Sequence, residues 1–306
     1  MKFYYSKYVW FDGKFLLLEN AKVPVTTHAI HYGTSIFEGI RAYWNSKNLY
    51  VFRLKEHIKR FRKSGNFYNI SLNFSDKQIE NAIINLCKKN KIRKSCYIRA
   101  FYFVGQYGIN LHVTKKAPTH VVIFTFPFDD LFDKNGITAT ISKWRKFSNL
   151  STPVQAKMGG NYLNSILATQ DAKQKGFDEA ILLDQSGNVS EAPGENIFLI
   201  KNSQLITPTI SSSALDGITR KSIITLAQDM GLKVKVRRVD KKELKLADEI
   251  FLSGTAAEIT PIIKIDKKKI GNGKVGKITK SLMTTYTNIV MNKNENYSNW
   301  LTSVLK

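Results

Sequence analysis

Two periods of apolar residues run through the chain. Short runs with two-residue alternation or continuous apolar character occur at Tyr8 to Phe11, Lys14 to Leu18, Leu49 to Arg53, Cys96 to Val104 and His120 to Phe126, and predict strands. Around Lys55 to Asn66 and Asp76 to Lys91 the apolar residues recur at three and four instead, which predicts helices, with Ser75 as N-cap of the second. Pro127 to Gly136 breaks both periods and reads as a connection. Beyond it the pattern predicts a strand at Ile137 to Ser142 and a helix near Asn161 to Lys175 closed by Gly176. A hairpin follows, Ala180 to Asp184 and Asn188 to Ser190, turning at Gln185-Ser186-Gly187. The remaining elements are a strand at Ile197 to Ile200, a helix over Thr219 to Met230 closed by Gly231, strands at Leu232 to Arg238 and Glu249 to Leu252, and a last helix near Lys277 to Val290. The expectation is an α+β chain with a smaller domain over 1–127, a connection over 128–136 and a larger domain over 137–306, with an active site in the cleft between them.

Composition supports a folded chain. Its 306 residues are 43% hydrophobic and 11% aromatic, enough for a sizeable core. No apolar run reaches transmembrane length, and Met1 to Lys7 lacks a signal-peptide core. Cys87 and Cys96 have no metal-site spacing and read as reduced thiols of a cytoplasmic protein. The formal charge of +23 raises nucleic-acid binding as a reading of a different class. The lysines are spread along the chain, however, and no clustered patch with base-stacking aromatics is visible, so a solvated basic surface is expected. His28 and His31 lack an accompanying Cys or carboxylate cluster, so no metal site is expected.

The chemistry concentrates in two runs. Ala156-Lys157-Met158-Gly159-Gly160-Asn161-Tyr162 sets a lysine beside a glycine pair and a tyrosine, and Ser190-Glu191-Ala192-Pro193-Gly194-Glu195-Asn196 supplies glutamates. Pyridoxal 5'-phosphate needs such parts: a lysine amine to condense with its aldehyde, and a carboxylate to keep its pyridine nitrogen protonated. Taken alone, either run is an ordinary surface lysine or hairpin glutamate, and Glu195 rivals Glu191.

Six ordered segments carry a resemblance. They are His28 to Arg41, Tyr97-Ile98-Arg99, the Lys157 and Glu191 runs, Leu215 to Arg220, and Ser253 to Pro261. Together they resemble the branched-chain aminotransferase family of fold-type IV pyridoxal-phosphate enzymes, from about Trp10 to about Leu282. The resemblance implies the two-domain fold of that family, like that of D-amino-acid aminotransferase, with the cofactor in the interdomain cleft. It implies Lys157 as the lysine that binds the cofactor and shuttles protons, Glu191 at the pyridine nitrogen and Tyr162 at the ring's phenolic oxygen. The cofactor phosphate would be met by Arg60, Gly217, Ile218, Thr219, Gly254 and Thr255; Arg62 would point elsewhere on its helix. The substrate α-carboxylate would meet the amides of Thr255 and Ala256. Tyr32, Phe37 and Gly39 would line the side-chain pocket, with Tyr97 and Arg99, which alternation puts on one strand face.

The implied activity is reversible amino transfer between leucine, isoleucine or valine and 2-oxoglutarate. D-amino-acid aminotransferase and aminodeoxychorismate lyase share the lysine and glutamate and stay as alternatives. The partners implied are amino acids and 2-oxo acids, with a second copy of the chain in at least a homodimer whose loop near Gly108 to Val113 reaches the neighbour's site. Asp216 stands where the family carries proline, and Phe128-Asp129-Asp130-Leu131 lacks its larger aromatics.

Overall fold

The computed structural model describes residues 4–305 of the chain and divides into two compact units. The first comprises Met1–Asp129, Ala156–Gly160 and Asn288–Lys306; the second comprises Asp130–Gln155 and Asn161–Thr287. A division at 128–136 leaves two of those segments in the second half. Main-chain pairing explains why they count with the first: Met158 bridges Ile36, and the C-terminal strand Leu301–Ser303 pairs along Tyr50 to Phe52.

The first unit contains β1 (Tyr8–Phe11), β2 (Lys14–Leu17), α1 (His28–Tyr32), β3 (Ser35–Trp44), β4 (Leu49–Phe52), α2 (Leu54–Asn66), α3 (Asp76–Lys89), β5 (Cys96–Val104) and β6 (Thr119–Pro127). Its seven-stranded sheet runs in the order C-terminal strand, β4, β3, β5, β6, β1, β2, antiparallel throughout. Alternation gives the sheet two unlike faces. Ile36, Ile40, Ile98, Ala100 and Tyr102 join a core with Ile58 and Phe61 of α2 and Ile79, Ile83 and Leu86 of α3. Phe37, Tyr97, Arg99, Phe101 and Phe103 occupy the alternate positions of β3 and β5. Ser75 caps α3 through a reciprocal capping box with Gln78.

The second unit contains β7 (Ile137–Arg145), α4 (Tyr162–Gln174), β8 (Glu179–Leu183), β9 (Val189–Glu191), β10 (Asn196–Lys201), β11 (Gln204–Pro208), α5 (Ile218–Asp229), β12 (Lys233–Arg237), β13 (Glu249–Gly254), β14 (Glu258–Ile265), β15 (Lys268–Lys269) and most of α6 (Lys277–Val290). Its sheet is mixed, in the order β12-β11-β10-β13-β14-β7-β8-β9, with β15 on β14. β11–β12, β14–β7 and β7–β8 are its parallel pairs. Ile181, Ile197, Leu199, Ile250, Leu252 and Ile262 form its core, and Ala168 and Ala172 bring α4 close to Ala180 and Leu182. Gly176 and Gly231, just past α4 and α5, take the positive φ that ends a helix at little steric cost. Strands β3, β11, β14 and β15 and the C-terminal strand Leu301–Ser303 are additions to the periodicity reading.

Candidate functional site

In the first unit, the helical period puts His57, Arg60 and Ser64 on one face of α2. That face meets Glu38, the one acidic residue among the core-facing positions of β3. His57 Nδ1 donates to Glu38 Oε2 at 2.7 Å, since an ionised carboxylate can only accept. Arg60 grips the same carboxylate with two prongs, Nε to Oε1 at 2.6 Å and Nη2 to Oε2 at 2.8 Å. Burial pushes the Glu38 carboxyl up, but Arg60 and then His57 more than offset it and hold it at about 2. Burial moves the His57 ring the other way, below its ordinary value, against the pull of Glu38.

Lys157 reaches this cluster from a segment laid along the edge of β3. Its N–H donates to Ser64 Oγ at 3.0 Å, and its carbonyl accepts the Phe37 N–H at 3.1 Å. Its amine lies 4.9 Å from the centre of the Phe37 ring, and the Arg99 guanidinium lies 4.5 Å from the same ring. Protein crowding the half-buried side chain, then Arg60 and, to a lesser degree, Arg99 together lower the amine to about 8, with Glu38 and Tyr97 opposing. A fraction of the amine is therefore neutral near physiological pH.

Tyr97 and Arg99 share a face of β5 as alternation predicts, and Gly39 pairs with Arg99 across the sheet. A Cβ at Gly39 would run into the Tyr97 hydroxyl, so glycine lets that ring lie over β3. Tyr97 stacks on Phe126 and packs against Phe128, both at 5.3 Å between ring centres. Tyr32 ends α1, is largely exposed and lies 4.6 Å from the His28 ring. His28 is itself occupied by Thr34 Oγ1 and the Asn110 carbonyl, and His31 by the Val25 carbonyl. Arg62 binds Asp76 and the carbonyls of Leu72 and Phe74, away from Arg60's partners.

In the second unit, Glu191 at the end of β9 is buried. Its Oε2 accepts from the Leu215 N–H at 2.8 Å and from Asn196 Nδ2 at 3.3 Å, and its Oε1 meets Lys146 Nζ at 2.7 Å. Asn196 is fixed in turn by the Leu215 carbonyl at 2.8 Å. Burial disfavours the Lys146 ammonium, but Glu191, with a smaller contribution from Tyr162, holds its proton more tightly than an ordinary lysine's. Glu195 instead accepts the neighbouring Gly194 N–H at 3.1 Å, and its side chain passes Gly254.

Gly217 is the N-cap of α5, directly before Ile218 and Thr219. A Cβ there would strike Asn196 Oδ1, so glycine is required for the helix to start beside the Glu191 support. No side chain caps this helix, which leaves first-turn N–H groups and the positive end of the dipole to an anion. Gly254 ends β13, Thr255 and Ala256 belong to the turn joining it to β14, and Glu258 after the turn holds a positive φ of 53°. Ser190, Ser212 and Ser253 each carry a buried hydroxyl with no protein partner among the described residues.

Three site residues, Glu38, His57 and Lys146, lie outside the sequence expectation. His57 and Arg60 at i and i+3 were a legible pair, and Glu38 was legible as a charge at an apolar position. Lys146 carried no signal, because its partner is 45 residues away in sequence (191 against 146).

Each unit carries parts that pyridoxal phosphate needs: the first a partly neutral lysine amine, the second a buried glutamate paired with a lysine and an uncapped helix start that only glycine fits. The architecture and these features define a class IV aminotransferase, and the chain belongs to that family, whose profile matches residues 35–265. It is thus a pyridoxal-phosphate-dependent transaminase. Among curated relatives, the branched-chain-amino-acid aminotransferase of Salmonella typhimurium is 40% identical over 304 residues, covering 98% of both chains. Among solved structures, the branched-chain aminotransferase of Thermoproteus uzoniensis with norvaline has a TM-score of 0.95 at 39% identity, covering 98% of this chain and 99% of that one. The T.th. branched-chain amino acid aminotransferase complexed with N-(5'-phosphopyridoxyl)-L-glutamate has a TM-score of 0.94 at 39% identity with the same coverage.

Proposed function

We propose that the chain transfers the amino group reversibly between leucine, isoleucine or valine and 2-oxoglutarate, giving branched 2-oxo acids and L-glutamate. One observation carries this reading: the Lys157 amine and the Arg99 guanidinium stand on the same Phe37 ring. A substrate brought to that amine has beside it both an aromatic wall for an alkyl side chain and a cation for a second carboxylate. Among the described residues, no carboxylate pairs with Arg99. The relatives bound to norvaline and to a glutamate adduct support both halves of the specificity.

When bound, pyridoxal phosphate supplies an aldehyde and an electron-withdrawing ring. Lys157 Nζ, its proton loosened, acts as nucleophile and as the base that takes the substrate α-proton. Glu191 would hold a proton at the pyridine nitrogen, and Tyr162 would donate to the phenolic oxygen. Arg60, Gly217, Ile218, Thr219, Gly254 and Thr255 would hold the phosphate; the amides of Thr255 and Ala256 would hold the α-carboxylate. Tyr32, Phe37, Gly39 and Tyr97 shape the side-chain pocket, with Arg99 for the distal carboxylate.

We also assign the protein to the cytoplasm, which suits buried free thiols at Cys87 and Cys96; no helix of the described residues is long and apolar enough to cross a membrane. Exposed Val25, Ile30, Ile109 and Leu111 support a homo-oligomer in which a second copy covers them. Sedimentation as a monomer at micromolar concentration would remove that assignment.

The activity test is a coupled assay of L-leucine against D-alanine with 2-oxoglutarate as acceptor. Turnover of L-leucine alone is expected. Turnover of D-alanine alone would favour a D-amino-acid aminotransferase, and turnover of neither, with pyruvate released from aminodeoxychorismate, would favour the lyase.

A further inference from the structure

Lys146 lies one residue past β7, where the strand's register against β8 slips between Ile141↔Ile181 and Arg145↔Leu183. Such irregularities re-aim side chains. Its main chain is anchored on both sides: its N–H donates to the Leu183 carbonyl at 2.9 Å, and its carbonyl accepts from Gln185 Nε2 at 2.8 Å. From that fixed base its ammonium reaches Glu191 Oε1 at 2.7 Å and is itself mostly buried. The other two donors to Glu191, the Leu215 N–H and Asn196 Nδ2, are neutral and both serve Oε2. Lys146 is thus the one charged donor that contacts the carboxylate, and it alone serves Oε1, so removing it would leave that buried oxygen without a hydrogen-bond donor among the described residues. Arg220 is a second buried cation in this unit and attracts Glu191 from a distance, but its hydrogen bonds go to Thr207 Oγ1 and the Pro208 carbonyl and it pairs with Asp216 at 3.9 Å, so it does not orient the Glu191 carboxylate.

We infer that Lys146 is a positioning residue for Glu191: its ammonium satisfies Oε1 and fixes the plane of the carboxylate, and so acts on the cofactor through Glu191. This rests on the assignment of Glu191 to the pyridine nitrogen. It makes the pair Lys146–Glu191, rather than Glu191 alone, the unit that sets the ring's proton.

A double-mutant cycle separates this role from simple packing. Cofactor-stripped wild type, Lys146→Met, Glu191→Gln and the double variant are titrated with pyridoxal phosphate by fluorescence, and the visible spectrum of each loaded protein is recorded. Lys146→Met should weaken cofactor binding by about tenfold in the Glu191 background, a typical coupling for contacting groups, and by less than about twofold in the Glu191→Gln background. It should also alter the visible spectrum in the first background only. Lys146→Arg should bind the cofactor as wild type does. Equal losses in the two backgrounds, or tighter or unchanged binding in Lys146→Met, would overturn the inference and leave the Glu191 assignment standing. A Glu191→Gln variant with wild-type cofactor binding and turnover would overturn both. If Lys146→Met does not fold, Lys146→Gln takes its place against Lys146→Arg, and equal binding by those two refutes the charge argument.

Discussion

Replacing Lys157 by methionine should stabilise the cofactor-stripped protein at neutral pH while abolishing its chemistry. Methionine keeps much of the lysine stem and carries no charge. The amine sits at about 8 against 10.5 for an ordinary lysine, first through burial and then through Arg60, with Arg99 adding to them and Glu38 and Tyr97 only partly opposing. At neutral pH the folded protein therefore keeps a proton on Lys157 where the surroundings disfavour it, and the unfolded chain keeps it without penalty. That gap corresponds to roughly 2–3 kcal/mol once the water reaching the half-buried side chain is allowed for. Between about 8 and 10.5 the unfolded chain binds more protons than the folded one, so the wild type gains stability as pH rises through that window. The methionine variant's advantage should then be full below about pH 8 and fade by 10.5. Urea unfolding of both stripped proteins, at equal concentration and at the two ends of that window, reads it as a shift in midpoint at constant slope. A variant no more stable than wild type at neutral pH would refute the electrostatic argument. So would an advantage of equal size at both ends, which would trace it to packing.

Four further outcomes are expected. Borohydride reduction of the yellow holoenzyme followed by peptide mapping should place the pyridoxyl group on Lys157; a label on another lysine removes the assignment. Glu191→Gln should retain the cofactor and lose about 10²-fold or more in turnover, the usual cost of one such electrostatic contact; near-normal turnover alongside a dead Glu195→Gln would exchange the two glutamates. Arg99→Ala should harm the glutamate half-reaction more than the leucine half-reaction by roughly 1.5–3 kcal/mol, the worth of a charge-assisted hydrogen bond, in single-turnover spectra; equal losses with intact circular dichroism would end its dual role. Gly217→Ala should lower stability by about 1–3 kcal/mol through overpacking against Asn196 and weaken cofactor binding; wild-type behaviour in both would contradict the tight helix start.

Much of this protein was legible from local signals. The periods over α2, α3, β5 and β6, the Ser75 cap, and the glycines closing α4 and α5 depend on residues within a turn or two of each other, and the chain carries them unaided. The Lys157 and Glu191 runs and the Gly217 helix start were legible as candidates only through the ordered set of matching segments, since either run alone is an ordinary surface lysine or hairpin glutamate. What needed tertiary structure is how those residues are charged. Glu38 meets His57 and Arg60 from 19 and 22 positions away, and Lys146 meets Glu191 across two strands whose register slips. The segments 156–160 and 288–306 count with the first unit through main-chain pairing that no side-chain pattern announces. A proton's affinity for Lys157 depends on burial and on every charge within a few ångströms. Those distances come from sheet register and helix packing, so the sequence alone determined the lysine, and the fold decided that its amine would be partly neutral.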